Sequence, residues 1–297
     1  MLSGRNFETK QFDEKTKLAS FKELEDGVMD AINETHFQRF IMILKSAGII
    51  SRGFYSSVNN VNISYALYLR LKAQKMPPNK IEKIVRRWFV MSNLTGRYST
   101  SVGSQIEADL KNFKKGIIEN YLKSIEKAEL SNAFWSEGLI SSLKQAKKSG
   151  AYLGMFWAAQ VNNNEKAFLS KDHGVQQILE QKGDLHHIFP KKYLQNNGLS
   201  RNSYNQSANF AWTQQEINIK LGKTPPNEYM KKIEKQCKGS RSVYGSGINI
   251  LSELKQNLKE NCIPESIFNG TVKNYEIFLE ERRKLMAEKI RDYYENL

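Results

Sequence analysis

The feature that most limits what this chain can become is an interruption of its helical pattern. From Gly183 to about Gly222 the residues are mixed and rich in Asn, with β-forming types beside loop types. On both sides of that island, apolar residues recur at helical spacing. The chain is therefore expected to be mainly α, with a small α+β insertion. An irregular island in a helical protein needs a reason, and loops held on a rigid scaffold are where function is often carried.

The helical reading is specific. Ser20-Phe-Lys-Glu23 has the form of a capping box, Leu24, Val28, Ile32, Phe40, Ile41 and Leu44 follow it, and Gly48 is a stop. Ile63, Ala66, Leu67 and Leu71 mark a helix over 61–72, which Pro77 and Pro78 break and restart. Residues 81–94 form a strongly apolar helix that contains Arg86, Arg87 and Trp88, and Gly96-Arg97-Tyr98 makes the next turn. Amphipathic helices are also expected over 104–127 and 132–148. The last segment, 272–297, places Tyr275, Phe278, Leu279, Leu285, Met286, Ile290 and Tyr294 along one stripe. Residues 1–180 are taken as a helical domain, 181–235 as the insertion, and 236–297 as a helical segment that packs back on the first domain.

Composition excludes several classes. The 297 residues are 40% apolar and 26% charged, enough for a real core. No apolar run has the length to span a bilayer, and residues 1–17 have no apolar segment of the signal-peptide kind, so a cytoplasmic protein is expected. Cys237 and Cys262 are too few and too far apart for a zinc ribbon or a disulfide framework. The net charge of +14, from 45 basic and 31 acidic residues, attracts phosphate polymers by counterion release. Charge alone does not decide the partner, because many lysines are simply solvated. The basic residues are spread along the chain and line no single helix, which argues against a membrane surface.

The island reads Asp184-Leu-His-His-Ile-Phe-Pro190-Lys-Lys-Tyr-Leu194, then Asn205-Gln-Ser-Ala-Asn209-Phe-Ala-Trp212, then Thr213-Gln-Gln-Glu-Ile-Asn218-Ile-Lys-Leu-Gly222. It parses as strand (184–188), long loop, strand (208–212) and short helix. Thr213 and Glu216 make a capping box, and Gly222 ends the helix. A two-stranded ribbon closed by a helix can hold one divalent metal between a strand residue and a helix residue. His186 and His187 point to opposite faces of a strand, so one can ligate a metal while the other faces a water. A neutral histidine suits proton abstraction near pH 7, and a metal suits stabilisation of a phosphate and its leaving oxygen. Asn218 is placed to supply a second ligand through its side-chain oxygen, and Asn209 to tie the second strand to the loop. A metal that keeps several waters is typical of magnesium, with manganese as a substitute.

Plainer readings stand beside these. A lone histidine is usually structural, and His36 and His173 are read so. Asp184 is more often a strand-end hydrogen bonder than a ligand, with an orienting or ligand role as the alternative. Lys191, Lys192, Lys220 and Lys223 are solvated, or some of them touch phosphate. Trp88 and Phe89 are read as core, and Arg97 as half of an ion pair near a helix end. The joint order within about forty residues is what raises the island above these readings.

That order resembles the HNH, or ββα-metal, endonuclease motif. The resemblance implies that His186 is the first metal ligand and His187 the general base. It implies that Asn209 is the central structural Asn and Asn218 the ligand on the helix. Over nearly the whole chain, the Asp184–Lys191 run, Arg87-Trp-Phe-Val-Met-Ser-Asn-Leu-Thr-Gly-Arg-Tyr-Ser99 and Phe278-Leu-Glu-Glu-Arg-Arg-Lys-Leu-Met-Ala-Glu-Lys-Ile290 are similar to the C-terminal part of GmrSD-like proteins. Many of those are tied to restriction of foreign DNA. They usually add a ParB-like nucleotide-sensing domain with an Asp-Gly-Gln-Gln-Arg motif, which this sequence does not contain. The expectation is a sensor supplied as a separate subunit, or a truncated sequence.

The resemblance implies a magnesium-dependent DNA endonuclease, the effector of a restriction or anti-phage system. Two alternatives are carried: a non-catalytic nucleic-acid or partner-binding module, and an RNA-cleaving toxin. A single site of this kind cuts one strand at a time, so a double-strand break needs a dimer or two visits.

Overall fold

The apolar periodicity resolves into fifteen α-helices among the described residues and one two-stranded antiparallel ribbon. The computed structural model describes residues 5, 9–12, 14–146, 150–181 and 183–297, without the side chains of 14–18 and 184. Helices α1 (Glu14–Ala31), α2 (Glu34–Ser46), α3 (Val58–Ala73), α4 (Pro78–Leu94), α5 (Val102–Asn112), α6 (Ile118–Glu129) and the short α7 (Leu139–Ser142) come first. Helices α8 (Ala151–Asn162) and α9 (Val175–Glu180) lead into strand β1 (Asp184–His187). Two short helices, α10 (Lys191–Asn196) and α11 (Arg201–Tyr204), fill the loop before strand β2 (Phe210–Thr213). Helices α12 (Gln215–Leu221), α13 (Pro226–Cys237), α14 (Leu251–Glu260) and the long α15 (Tyr275–Glu295) follow.

The core is built around α8, whose residues from Leu153 to Val161 are all buried. A helix that is apolar all round has no solvent face to offer and must be surrounded. Helices α4 and α15 and the turn at Arg52–Phe54 pack on it. Trp88, Phe89, Val90 and Met91 of α4 are wholly buried, as the core reading of Trp88 and Phe89 expects. Each such side chain contributes about 1.5–3 kcal/mol by leaving water. Gly48, at φ +78°, both ends α2 and lets it approach α8, since a Cβ there would run into the Ala158 carbonyl oxygen. No helix among the described residues is long and apolar enough to cross a membrane. Neither Cys237 nor Cys262 is in a disulfide.

Several local expectations are corrected. Ser20 is no helix cap. It is buried inside α1, which begins six residues earlier at Glu14, and the cap is Asn33, whose side chain accepts from the His36 N–H and starts α2. The helix expected over 104–127 is two helices, separated by a turn with Gly116 at φ +85°. The helix expected over 132–148 begins at Asn132, passes through a π-helical turn at Phe134–Gly138 and ends with α7, and its last positions, 147–148, lie outside the described residues. On α15 the stripe includes Arg282 and Arg283, both buried, while Leu285 is 36% exposed.

Arg97 takes the ion-pair role. Its guanidinium grips the wholly buried Asp109, with Nη2 to Oδ1 at 2.6 Å, and Tyr98 and Tyr121 donate to the same carboxylate at 2.8 Å each. Burial and then the Asp109 charge push the Tyr98 phenol well above its usual range. A buried pair of this kind holds only because every lone pair of the carboxylate has a donor.

Candidate functional site

The ribbon sets the geometry. Strands β1 and β2 run antiparallel, with His186 opposite Ala211 and His187 opposite Phe210. Strand alternation sends the two histidines to different surroundings. His186 is 3% exposed, its ring stacks near Phe168 at 6.2 Å, and its Nδ1 lies 2.6 Å from Asn218 Oδ1. His187 is half-buried, with its ring 4.6 Å from that of Phe210 and 6.1 Å from that of Tyr204. Its Nε2 lies 3.0 Å from Asn205 Oδ1.

Asn218 is delivered by α12, which buries Ile217 and Leu221 and ends at Gly222 with φ +54°. The expected Thr213–Glu216 capping box does not form. Thr213 is the last residue of β2, and its buried hydroxyl donates to the Phe168 carbonyl at 2.7 Å, which leaves Gln214 at the cap position. With Thr213 one residue ahead of the cap position and its side chain turned to Phe168, its oxygen is not directed at the first turn of α12.

Asn209 closes the loop between the strands. Wholly buried, it accepts from the Phe189 N–H at 2.8 Å and donates to the carbonyls of Phe189 at 3.2 Å and Tyr204 at 3.0 Å. Its own carbonyl accepts from the Ile188 N–H. The end of β1, the end of α11 and the start of β2 are thus tied through one side chain. Two further anchors carry no signal in the local pattern. Tyr229 of α13, wholly buried, donates to the Ile188 carbonyl at 2.9 Å, and burial pushes its phenol well above its usual range. Arg282 of α15 donates to the carbonyls of Ala208 and Phe210, both at 2.8 Å, on either side of Asn209. Asn205 is also invisible in the spacing. It is one Asn among several in a loop, and only the fold carries it across to His187.

His186, His187 and Asn218 line one cleft of about 350 Å³, together with Leu185, Pro190, Lys191, Lys192, Gln195 and Gly222. Lys191 and Lys192 are exposed among its lining residues. Lys220 is not among the lining residues. It is exposed on α12 beside Gly245. His36 and His173 sit elsewhere, His36 against Lys72 and Asp30, and His173 with its carbonyl bonded to the Ala167 N–H. Asp184 pairs with Thr213 through the backbone, and the role expected of its carboxylate falls outside the described residues.

The donor set can be tested against a metal. No group of three or more His, Cys, Asp or Glu that could hold a metal occurs among the described residues, so a closed structural site is not built there. His186 Nδ1 and Asn218 Oδ1 are hydrogen-bonded to each other at the cleft, so a cation there would take the place of the shared proton, and one imidazole nitrogen with one amide oxygen would leave its other positions to water, as magnesium or manganese allows. Chemically, the site sets that pair beside a second imidazole on the adjacent residue.

No family model matches the chain, and no solved structure matches it. The chain is similar to the uncharacterized protein MJ0686 of Methanocaldococcus jannaschii, with 30% identity over 220 residues. That similarity takes in 69% of this chain, which spans only 36% of the length of the relative.

Proposed function

We propose that this chain is a metal-dependent endonuclease of the HNH type that hydrolyses phosphodiester bonds in DNA, as the effector part of a GmrSD-like restriction or anti-phage system. The observation that carries the reading is the meeting of His186 and Asn218, from strand and helix, at 2.6 Å, with His187 beside them on the same cleft. His187 takes the proton from the attacking water. Magnesium, held by His186 and Asn218, would supply Lewis-acid stabilisation of the phosphate and the departing 3′ oxygen. Asn209 holds the loop so that His187 keeps its place, and Lys191 and Lys192 draw the strand to the cleft mouth. The net charge of +14 favours a polyanionic substrate.

The test is nicking of supercoiled plasmid in magnesium, with EDTA as the blank and RNA as a competing substrate. Metal-dependent nicking that leaves 5′-phosphates is the expected result. DNA binding without cleavage in either magnesium or manganese would favour the binding-module reading, and faster cleavage of RNA would favour the toxin reading. A second result is expected from Asn218→Ala. Loss of outer-shell partners already weakens metal sites by about 10- to 100-fold, and loss of a direct ligand should do no less. Calorimetric titration with Mn2+ measures this, and an isotherm equal to that of the wild type removes Asn218 from the ligand set.

A further inference from the structure

Helix α13 divides into two faces. Tyr229, Met230, Ile233 and Gln236 are buried, while Lys231, Lys232 and Lys235, with Lys238 just past the helix end, are exposed. The buried face fixes the helix against the site. Tyr229 donates to the Ile188 carbonyl at 2.9 Å. Gln236 donates to the Ser246 hydroxyl at 3.1 Å and the Ile248 carbonyl at 2.8 Å, and accepts from the Val243 N–H at 3.1 Å. Those bonds fold the next loop back on α13. The loop carries the exposed Arg241, and its Gly245 lies beside the Lys220 ammonium of α12. Lys223 is exposed too, and it directly follows Gly222, which lines the cleft.

Residues 220–241 thus hold seven basic side chains against two acidic ones, Glu228 and Glu234, a net +5 of the chain's +14. Elsewhere the fold pairs its cations: Arg87 with Glu126, Arg97 with Asp109, Lys171 with Glu253 and Arg291 with Glu295. On this surface Glu228 and Glu234 stand at helical spacing from lysines, yet none of the seven has an ion pair within 4.0 Å among the described residues. Like charges one turn apart destabilise a helix, and an anion laid over them relieves the repulsion. From Lys231 to Lys238 the stripe runs about 10 Å along the axis, the rise of about three phosphates on one strand. A lysine is a point charge on a flexible stem, which suits a phosphate backbone held without reading its bases. We infer that the exposed face of α13, with Lys223 and Arg241, is the surface on which the backbone of duplex DNA lies beside the cleft. The inference rests on the nuclease reading for the identity of the polyanion.

The test is binding of a short fluorescent DNA duplex by the full chain, followed by anisotropy over a range of salt in EDTA. Lys231→Gln with Lys235→Gln is compared with Lys123→Gln and Lys127→Gln, two exposed lysines of α6. Both pairs remove the same charge, and equal melting curves show that both leave the fold intact. The α13 pair should lower the slope of log affinity against log salt by about two, and affinity at about 0.1 M salt by roughly 50-fold, on duplexes of any sequence. The α6 pair should leave the slope at its wild-type value. Equal losses in the two pairs would show a response to net charge alone and overturn the assignment. So would an unchanged slope in the α13 pair. Tighter binding of an RNA duplex through the same two lysines overturns the choice of DNA. Because EDTA keeps the measurement independent of cutting, a chain that binds through α13 and nicks nothing sinks the nuclease reading and leaves this one standing.

Discussion

His187→Ala should lose plasmid nicking by roughly 10³-fold while the protein stays folded, because a positioned general base commonly accounts for 10²–10⁴ of a rate. The substitution removes the only imidazole that lines the cleft without meeting Asn218. What it removes from the fold is modest. The ring is half-buried, its Nε2 meets the half-buried Asn205, and its neighbours Phe210 and Tyr204 are held from other elements. The Ile188 and Phe189 backbones next to it stay tied by Asn209 and Tyr229. Melting temperature and far-ultraviolet dichroism near those of wild type, with nicking lost, are the expected pair of readings. A variant that still nicks at the wild-type rate sinks the mechanism, since it assigns proton abstraction to this imidazole alone.

The second large effect is on stability and comes from the far end of the chain. Arg282→Met should lower stability by about 3–5 kcal/mol, a fall in melting temperature of roughly 10 °C for a chain of this size. Arg282 is wholly buried, and no carboxylate is among its hydrogen-bond partners. Nη1 donates to the carbonyls of Ala208 and Phe210, and Nε and Nη2 donate to that of Asn261 at 3.3 and 3.1 Å. Its guanidinium also lies over the Phe156 ring at 5.8 Å. Burial lowers its pKa to about 10, so it remains charged at neutral pH and holds three elements by charge-assisted bonds. Methionine fills much of the same volume but leaves those carbonyls without a donor, and each unmade buried bond costs about 1–3 kcal/mol. Arg282→Lys should fall between, because one ammonium cannot serve carbonyls on two sides as a planar fork does. Thermal unfolding followed by dichroism decides the matter. Stability equal to wild type in Arg282→Met would mean that relief of the buried charge offsets the lost bonds. Because Ala208 and Phe210 bracket Asn209, the methionine variant is also expected to nick more slowly than its melting temperature alone would suggest.

What the sequence determined by itself is whatever depends on neighbours within about one helical turn or one strand pair. The helices announce themselves because burying one face requires apolar residues every three to four positions, and Pro78 and Gly48 mark ends through their own backbone limits. The ribbon and helix around His186, His187 and Asn218 are legible for the same reason: a strand alternates its faces, and Gly222 stops the short helix after Asn218. Only the tertiary structure decided where the polar groups go. Thr213 looks like a cap but gives its hydroxyl to Phe168, 45 residues away. Arg282 stands in an apolar stripe where its charge argues for solvent, yet it is buried because three carbonyls from distant segments converge on it. Asn205 is one Asn in an Asn-rich loop until the fold sets it against a histidine 18 residues earlier, His187. An apolar side chain is satisfied by any well-packed neighbour, so its place follows from periodicity. A buried polar group needs a particular partner at a particular distance, and that partner arrives only when the chain has folded.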